Sequence, residues 1–211
     1  MIYILIDNGH GYDTLGKYSP DKKYYEYKWA REMAQMIVDE LTKRGYDARR
    51  IVPEETDIPL NGNRPDTRVK RVNSFCKQHG GAKNVLLVSI HSNANSGDGQ
   101  WHDGKWSGFV AEVSQNASDN SKRLADFIWK RAIEKGLKGN RSFTDADGKR
   151  FLVQNLAICR ETVCPATLTE SEFHDTHEGV AILTGAETKK KIMLAHVEGI
   201  IDYINYIEAY D

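Results

Sequence analysis

Asn84-Val85-Leu86-Leu87-Val88-Ser89-Ile90, running straight into His91, is the stretch that decides the fold. A near-continuous apolar run of this length, closed off upstream by Gly80-Gly81, reads as a central strand covered on both faces. Working outward, Arg68 to His79 carries a helical pattern, and Glu54 to Asp66, with Pro53, Pro59 and Pro65, reads as a connecting loop. Asp47 to Val52 reads as a second strand. Trp29, Met33, Met36, Ile37 and Leu41 recur three and four apart, the spacing of an amphipathic helix that ends near Gly45. Residues 2–6 are a short β-branched run that breaks into Asp7-Asn8-Gly9-His10-Gly11, a strand entering a polar turn.

Downstream, Gly97 to Gly108 reads as a loop bearing tryptophans, Phe109 to Val113 as a strand, and Ser121 to Lys135 as a helix with Leu124, Phe127, Ile128 and Ile133 inward. Residues 136–155 carry no decisive pattern. Ala166 to Thr169 reads as a short strand leading into Glu170, and Lys189 to Tyr210 as a long closing helix. Strands and helices alternating in this order predict a three-layer α/β/α domain with a mostly parallel twisted sheet, residues 1–211 forming a single domain.

Composition narrows the partners. The chain has 211 residues, 40% hydrophobic and 28% charged, with a net charge of -1, so nothing pulls it generally toward nucleic acid or anionic lipid. Met1 to Ile6 lacks a basic leader and a cleavage site and reads as strand, not signal peptide. No apolar stretch reaches the roughly 20 residues of a membrane-spanning helix. Synthesis in the cytoplasm is the expectation, with action after release or as part of an exported protein, and a monomer is expected. Cys76, Cys159 and Cys164 are odd in number and lack CxxC spacing, which points to core residues rather than disulfides or a thiolate metal site.

In open α/β sheets ligands gather at the carboxyl ends of strands. His10, His91 and Glu170 each fall at such an end, so three separate segments aim chemically capable groups at one edge. Glu26, at the start of the first helix, adds a carboxylate. Two imidazoles and a carboxylate form a recognised hydrolytic zinc set, leaving a position open for water.

The blocks Asp7-Asn8-Gly9-His10-Gly11, Glu26, Ser89-Ile90-His91-Ser92-Asn93-Ala94 and Leu168-Thr169-Glu170-Ser171-Glu172-Phe173 resemble, in order and rough spacing, the zinc-dependent N-acetylmuramoyl-L-alanine amidases of the amidase 3 type. The resemblance runs from residue 2 to about 210, and Ser19 to Tyr27 is similar to phage endolysin members. It implies that His10, Glu26 and His91 bind Zn2+, that Glu170 is the catalytic carboxylate, and that the substrate is peptidoglycan, cut between the muramyl lactyl group and L-alanine. One departure stands out: the family's late block usually reads Glu-x-Gly-Phe, and here Glu172 occupies the glycine position, a second carboxylate that competes with Glu170 for the role of base.

The resemblance implies a mechanism in which the metal polarises the carbonyl and acidifies water while Glu170 moves the proton to the leaving nitrogen. Asn93 or Arg160 could assist the oxyanion, and Asp7 and Asn8 are expected to orient His10. His174 and His177 read as cleft-lining, extra-metal or plain loop residues, His102 as substrate-facing or solvated. Trp101 and Trp106 offer faces for sugar rings or for the stem peptide, against the plainer reading that they pack the loop onto the domain. Two alternatives remain: a zinc carboxypeptidase or other small-amide hydrolase on the same scaffold, told apart by its product, and a non-catalytic cell-wall binding module that binds sacculi without dissolving them.

Overall fold

A computed structural model describes residues 1–210. In chain order the elements are β1 (Tyr3–Asn8), α1 (Glu26–Lys43), β2 (Asp47–Arg50), α2 (Arg68–Gln78), β3 (Val85–Asn93), β4 (Val110–Ser114) and α3 (Asp119–Glu134). They continue through β5 (Phe143–Thr144), β6 (Arg150–Gln154), α4 (Ala157–Arg160), β7 (Ala166–Phe173), α5 (His177–Thr184) and α6 (Ala186–Tyr210). The strands form one sheet in the order β2-β1-β3-β7-β4-β6-β5. The four strands β2, β1, β3 and β7 run parallel, whereas β4 and β6 run the opposite way and β5 reverses again, giving the expected α/β class with a mostly parallel sheet.

Helices cover both faces because the central strands are apolar on both. Ile4, Ile6, Leu86, Val88 and Ile90 pack with Trp29, Met33 and Ile37 of α1, Leu124 and Ile128 of α3, and Ile192 and Ile200 of α6. Leu5, Leu87 and Leu168 face the other way, against Val69, Val72 and Cys76 of α2 and Ile158 of α4. The cysteines are free, as expected, and Cys76 and Cys164 are buried in this second layer. Helix starts follow their caps: Thr67, Ser118 and Thr176 accept from the backbone N–H groups of Lys70, Ser121 and Gly179.

Several boundaries differ from the sequence reading. β2 stops at Arg50 instead of Val52, since the chain leaves the sheet before Pro53. β3 and β7 outrun their apolar cores by three or four residues, so His91 and Glu170 lie inside strands rather than at their ends. Residues 136–155 hold the short strands β5 and β6, and α5 fills a segment to which the sequence reading gave no element. No helix among the described residues is long and apolar enough to cross a membrane.

Candidate metal centre and its surroundings

The turn after β1 brings His10 over the end of β3. Gly9 donates its N–H to the Ile90 carbonyl at 3.0 Å, and a side chain on Gly9 would put a Cβ 2.3 Å from His91 Cε1. Gly11 is equally constrained, because a Cβ there would lie 2.0 Å from the backbone nitrogen of Asp57. Between them His10 takes a left-handed φ of 59°, an uncommon conformation for a non-glycine residue. Two guanidinium groups hold it there: the His10 carbonyl accepts from Arg31 Nη1 at 2.9 Å and Arg68 Nη2 at 3.1 Å.

Glu26 is the first residue of α1 and is fully buried, turned toward the sheet instead of serving the helix end from solvent. Its Oε1 lies 3.0 Å from His91 Nδ1 and 3.5 Å from His10 Nε2, and accepts from the Ser92 N–H at 3.1 Å. One donor atom from each of His10, Glu26 and His91 falls within 4.8 Å of the other two. Glu26 Oε2 is buried with no hydrogen-bond partner, which is costly for a carboxylate unless a cation lies close by. Two imidazole nitrogens and one carboxylate oxygen therefore fit a divalent metal.

Burial pulls the His10 pKa from 6.5 to about 4, with Glu26 opposing the shift, so the ring is neutral and able to donate its lone pair to a metal. Burial pushes the Glu26 carboxyl up, but the hydrogen bond from His91 and the two histidines outweigh it and hold the group ionised.

Glu170 pairs directly with His91 across the parallel β3–β7 ladder, on the same face of the sheet. Burial first, then the neighbouring Glu26 and Glu112, push its pKa well above the usual carboxylate range, and its Oε2 is buried without a partner. Glu112 on β4 shares the environment; burial raises it to about 7. Sequence reasoning missed Glu112, whose strand bears no motif.

Glu172 goes elsewhere. The ladder shifts register between His91 and Asn93, so Ser171 and Glu172 together oppose Ser92, a bulge that upsets the two-residue alternation. Glu172 Oε1 accepts from the Gly108 N–H at 2.7 Å and the Phe173 N–H at 3.0 Å, beside Leu137, Lys138, Ile182 and Lys191 on the α6 side. It is a buried structural acceptor, outside the His10–Glu26–His91 cluster.

Other expected residues are redistributed. Asp7 does not touch His10; its carboxylate accepts from Arg68 Nη1 at 2.5 Å and Ser89 Oγ at 2.5 Å, and acts on His10 only through Arg68. Arg68 also binds the Asn8 carbonyl and Asp57, and although burial works against its charge, Asp7 and Asp57 outweigh it. Asn8 accepts from Arg50. Asn93 Oδ1 accepts from the Ala94 N–H, and the Arg160 guanidinium donates to Asn155 and Glu161. His102 pairs with Asp98. His177 stacks on Trp101, with centroids 3.8 Å apart, and bonds Asp103.

His174 lies in the turn between β7 and α5 but is buried: Ser92 Oγ lies 3.0 Å from its Nδ1 and accepts from the Tyr24 hydroxyl at 2.8 Å, and Glu26 Oε2 is 4.0 Å from the same Nδ1. Its place directly after the Glu170 block was the one available signal. Beside the cluster opens a cavity of about 250 Å3 lined by Asp57, Ile58, Leu60, Arg68, Leu156, Ile158 and Leu168 together with His10 and His91.

Fold and site together define the class: an α/β domain whose central strands carry a His-Glu-His donor set, its glutamate buried, beside a carboxyl whose pKa burial raises. The family model described as N-acetylmuramoyl-L-alanine amidase matches residues 4–202, and the chain belongs to that family. It is similar to an endolysin of Bacillus phage SPP1, 31% identical over 124 residues, which cover 59% of this chain and 42% of that protein. It is also similar to an uncharacterised cell wall amidase of Bacillus anthracis, 27% identical over 144 residues, which cover 68% of this chain and 25% of that one. The chain thus spans less than half the length of these curated relatives. Among solved structures it resembles the catalytic domain of the amidase CwlV from Bacillus (Paenibacillus) polymyxa var. colistinus, with a TM-score of 0.75, 20% identity and coverage of 97% and 99%. The amidase of Clostridium difficile 630 gives 0.74, 22%, and 97% of both chains. These likenesses establish the shared fold.

Proposed function

We propose that this chain hydrolyses the amide between the lactyl group of N-acetylmuramic acid and L-alanine in peptidoglycan, using zinc held by His10, Glu26 and His91, with Glu170 as the catalytic carboxylate. The observation that carries the reading is the convergence of three donor atoms within 4.8 Å beside a strand partner, Glu170, whose Oε2 is buried without a hydrogen-bond partner. A zinc ion held there supplies the charge that polarises the scissile carbonyl and acidifies the attacking water.

The chain's own groups supply the rest. His10 and His91 offer nitrogen lone pairs, and Glu26 offers an ionised oxygen. Glu170 takes one proton from the attacking water and delivers it to the departing nitrogen, so the amine leaves neutral. Arg68 and Arg31 hold the His10 turn, and the cavity lined by Ile58, Leu60, Leu156 and Leu168 shields one arm of the substrate from water. We read residues 1–211 as one catalytic domain acting on the wall as a monomer, in a lytic role that the phage endolysin relative supports.

Digestion of purified sacculi with and without a chelator tests this. Stem peptides with a free N-terminal L-alanine, lost in chelator and restored by zinc, are the expected product by mass. Release of D-alanine instead, or indifference to chelator, refutes the reading.

A further inference from the structure

The segment from Ala94 to Gly108 is far more tightly held than an ordinary surface loop. Asp175 accepts from the backbone N–H groups of Asn95 and Ser96 and from the Asn95 amide, and its own carbonyl accepts from His102 N–H. Asp103 accepts from the backbone and ring of His177, and Trp101 is stacked on that ring, which makes Trp101 part of the loop's packing. Lys138 and Asn140 tie down Ser107.

In the middle of this scaffold Trp106 is held outward. Asn95 clamps its backbone on both sides, Oδ1 accepting the Trp106 N–H at 2.9 Å and Nδ2 donating to its carbonyl at 3.2 Å, yet the residue is 57% exposed. Trp29, by contrast, is 4% exposed in the core. An indole presented to water by a rigid loop forgoes the burial that large aromatics normally contribute. Nothing in the packing of the fold requires it, and the guanidinium of Arg141 lies 5.4 Å from its ring.

Next to Trp106 is a cavity of about 420 Å3 lined by Asp103, Lys105, Ser107, Lys138, His177 and Glu178, with Thr176 at its wall. Two acids and two lysines balance, so the cavity favours a neutral ligand with many hydroxyl and amide groups over an ion. A flat apolar face beside such a ring of donors and acceptors suits a sugar, whose C–H face stacks while its edge hydrogen-bonds. The cavity lies at the start of α5, separate from the one lined by Leu60, Leu156 and Leu168 beside His10 and His91. A substrate cut where glycan meets peptide has two arms leaving the reacting carbon, and Trp106 is tied toward the donor cluster through Asn95 and Asp175, the residue after His174, whose Nδ1 is 4.0 Å from Glu26 Oε2.

We infer that Trp106 and the Lys105–Lys138–Glu178 cavity form a subsite for the uncharged N-acetylated glycan strand on either side of the muramyl residue being cleaved. This rests on the function proposed above. It assigns to Trp106, and not to Trp101, the recognition of polymer.

The test compares wild type, Trp106→Ala and Trp106→Phe on two substrates: soluble glycan strands bearing stem peptides, and a muramyl tripeptide with no flanking sugars. Trp106→Ala should lower kcat/KM on the polymer about tenfold, through KM, since one aromatic stacking contact is worth about 1.4 kcal/mol. It should leave the muramyl tripeptide rate unchanged, and Trp106→Phe should recover most of the loss. Binding of N-acetylglucosamine oligomers, read as tryptophan fluorescence, should disappear in Trp106→Ala while its thermal midpoint stays that of wild type. Unchanged polymer cleavage in Trp106→Ala, or equal loss on both substrates, overturns the inference. Failure of wild type to cut either substrate overturns the proposed function instead, and oligomer binding then decides the subsite by itself.

Discussion

His91 and Glu170 are register partners on adjacent parallel strands, so the backbone ladder of β3 and β7 fixes the spacing between a proposed metal ligand and the proposed proton carrier. Neighbouring strands lie about 4.8 Å apart, a separation that side-chain motion hardly changes. A pair placed this way is preorganised without depending on any loop.

Glu170→Gln should therefore lower turnover by on the order of 10²- to 10⁴-fold, the usual share of a general acid–base group, while zinc still binds in a calorimetric titration. Glu172→Gln should keep turnover, because the bulge has moved that carboxylate to the α6 side, where it accepts from Gly108 and Phe173. The reverse ranking of the two variants would reassign the base.

His174 should act on the metal at one remove. Its ring, with Ser92 and Tyr24, backs the Glu26 oxygen that has no other partner. Residues that orient metal ligands typically contribute about 10- to 100-fold in affinity, and His174→Leu should weaken zinc binding by that factor. Cobalt absorption, which reports ligand geometry, should shift in the leucine variant and return in His174→Gln if the contact is one of orientation.

Arg68 and Asp7 form a buried ion pair, 3% and 1% exposed as residues. Arg68→Met leaves Asp7 charged and buried, which should cost about 3–5 kcal/mol in urea unfolding. Adding Asp7→Asn should return much of that loss to stability but leave the His10 turn without one of its two guanidinium anchors, so zinc affinity stays reduced. Full recovery of both would mean that Arg31 alone suffices.

His196 gives a pH signature away from the cleft. It is fully buried, donates from Nδ1 to the Ile192 carbonyl and contacts Thr169, and burial lowers its pKa from 6.5 to about 4. Between those values the unfolded chain carries a proton that the folded protein refuses, so stability falls as pH drops from 6.5 toward 4, by up to about 1.4 kcal/mol per pH unit. Glu112, raised from 4.5 to about 7, works in the opposite direction across that window, because there the folded protein holds the extra proton. The difference between wild type and His196→Gln in denaturant unfolding at each pH isolates the histidine; an identical pH slope in both would show that His196 does not titrate in this window.

Much of the molecule was legible before any coordinates. The strands β1 and β3 announce themselves because burial on both faces demands continuous apolar runs, and α1 and α3 because burial of one face demands a 3.6-residue rhythm. β5, β6 and α5 were not legible, being too short for a hydrophobic period to show, so that tertiary contacts decide. That His10, Glu26 and His91 come together, with Glu170 as the strand partner of His91, agrees with the expectation drawn from their blocks and from the helix start at Glu26.

The sequence by itself determined the fold class, the strand and turn that carry His10 and the choice of candidate donors, because hydrophobic period and residue chemistry are local properties. Tertiary structure alone decided that Glu170 and not Glu172 lies on the face of His91, since a one-residue bulge reverses which side of a strand a residue occupies and leaves no mark in composition. It also decided that Arg68, sixty-one positions from Asp7, anchors the turn, and that His174 backs Glu26. Such partnerships are set by which surfaces the packed layers bring together, a relation between distant parts of the chain that neither part encodes alone.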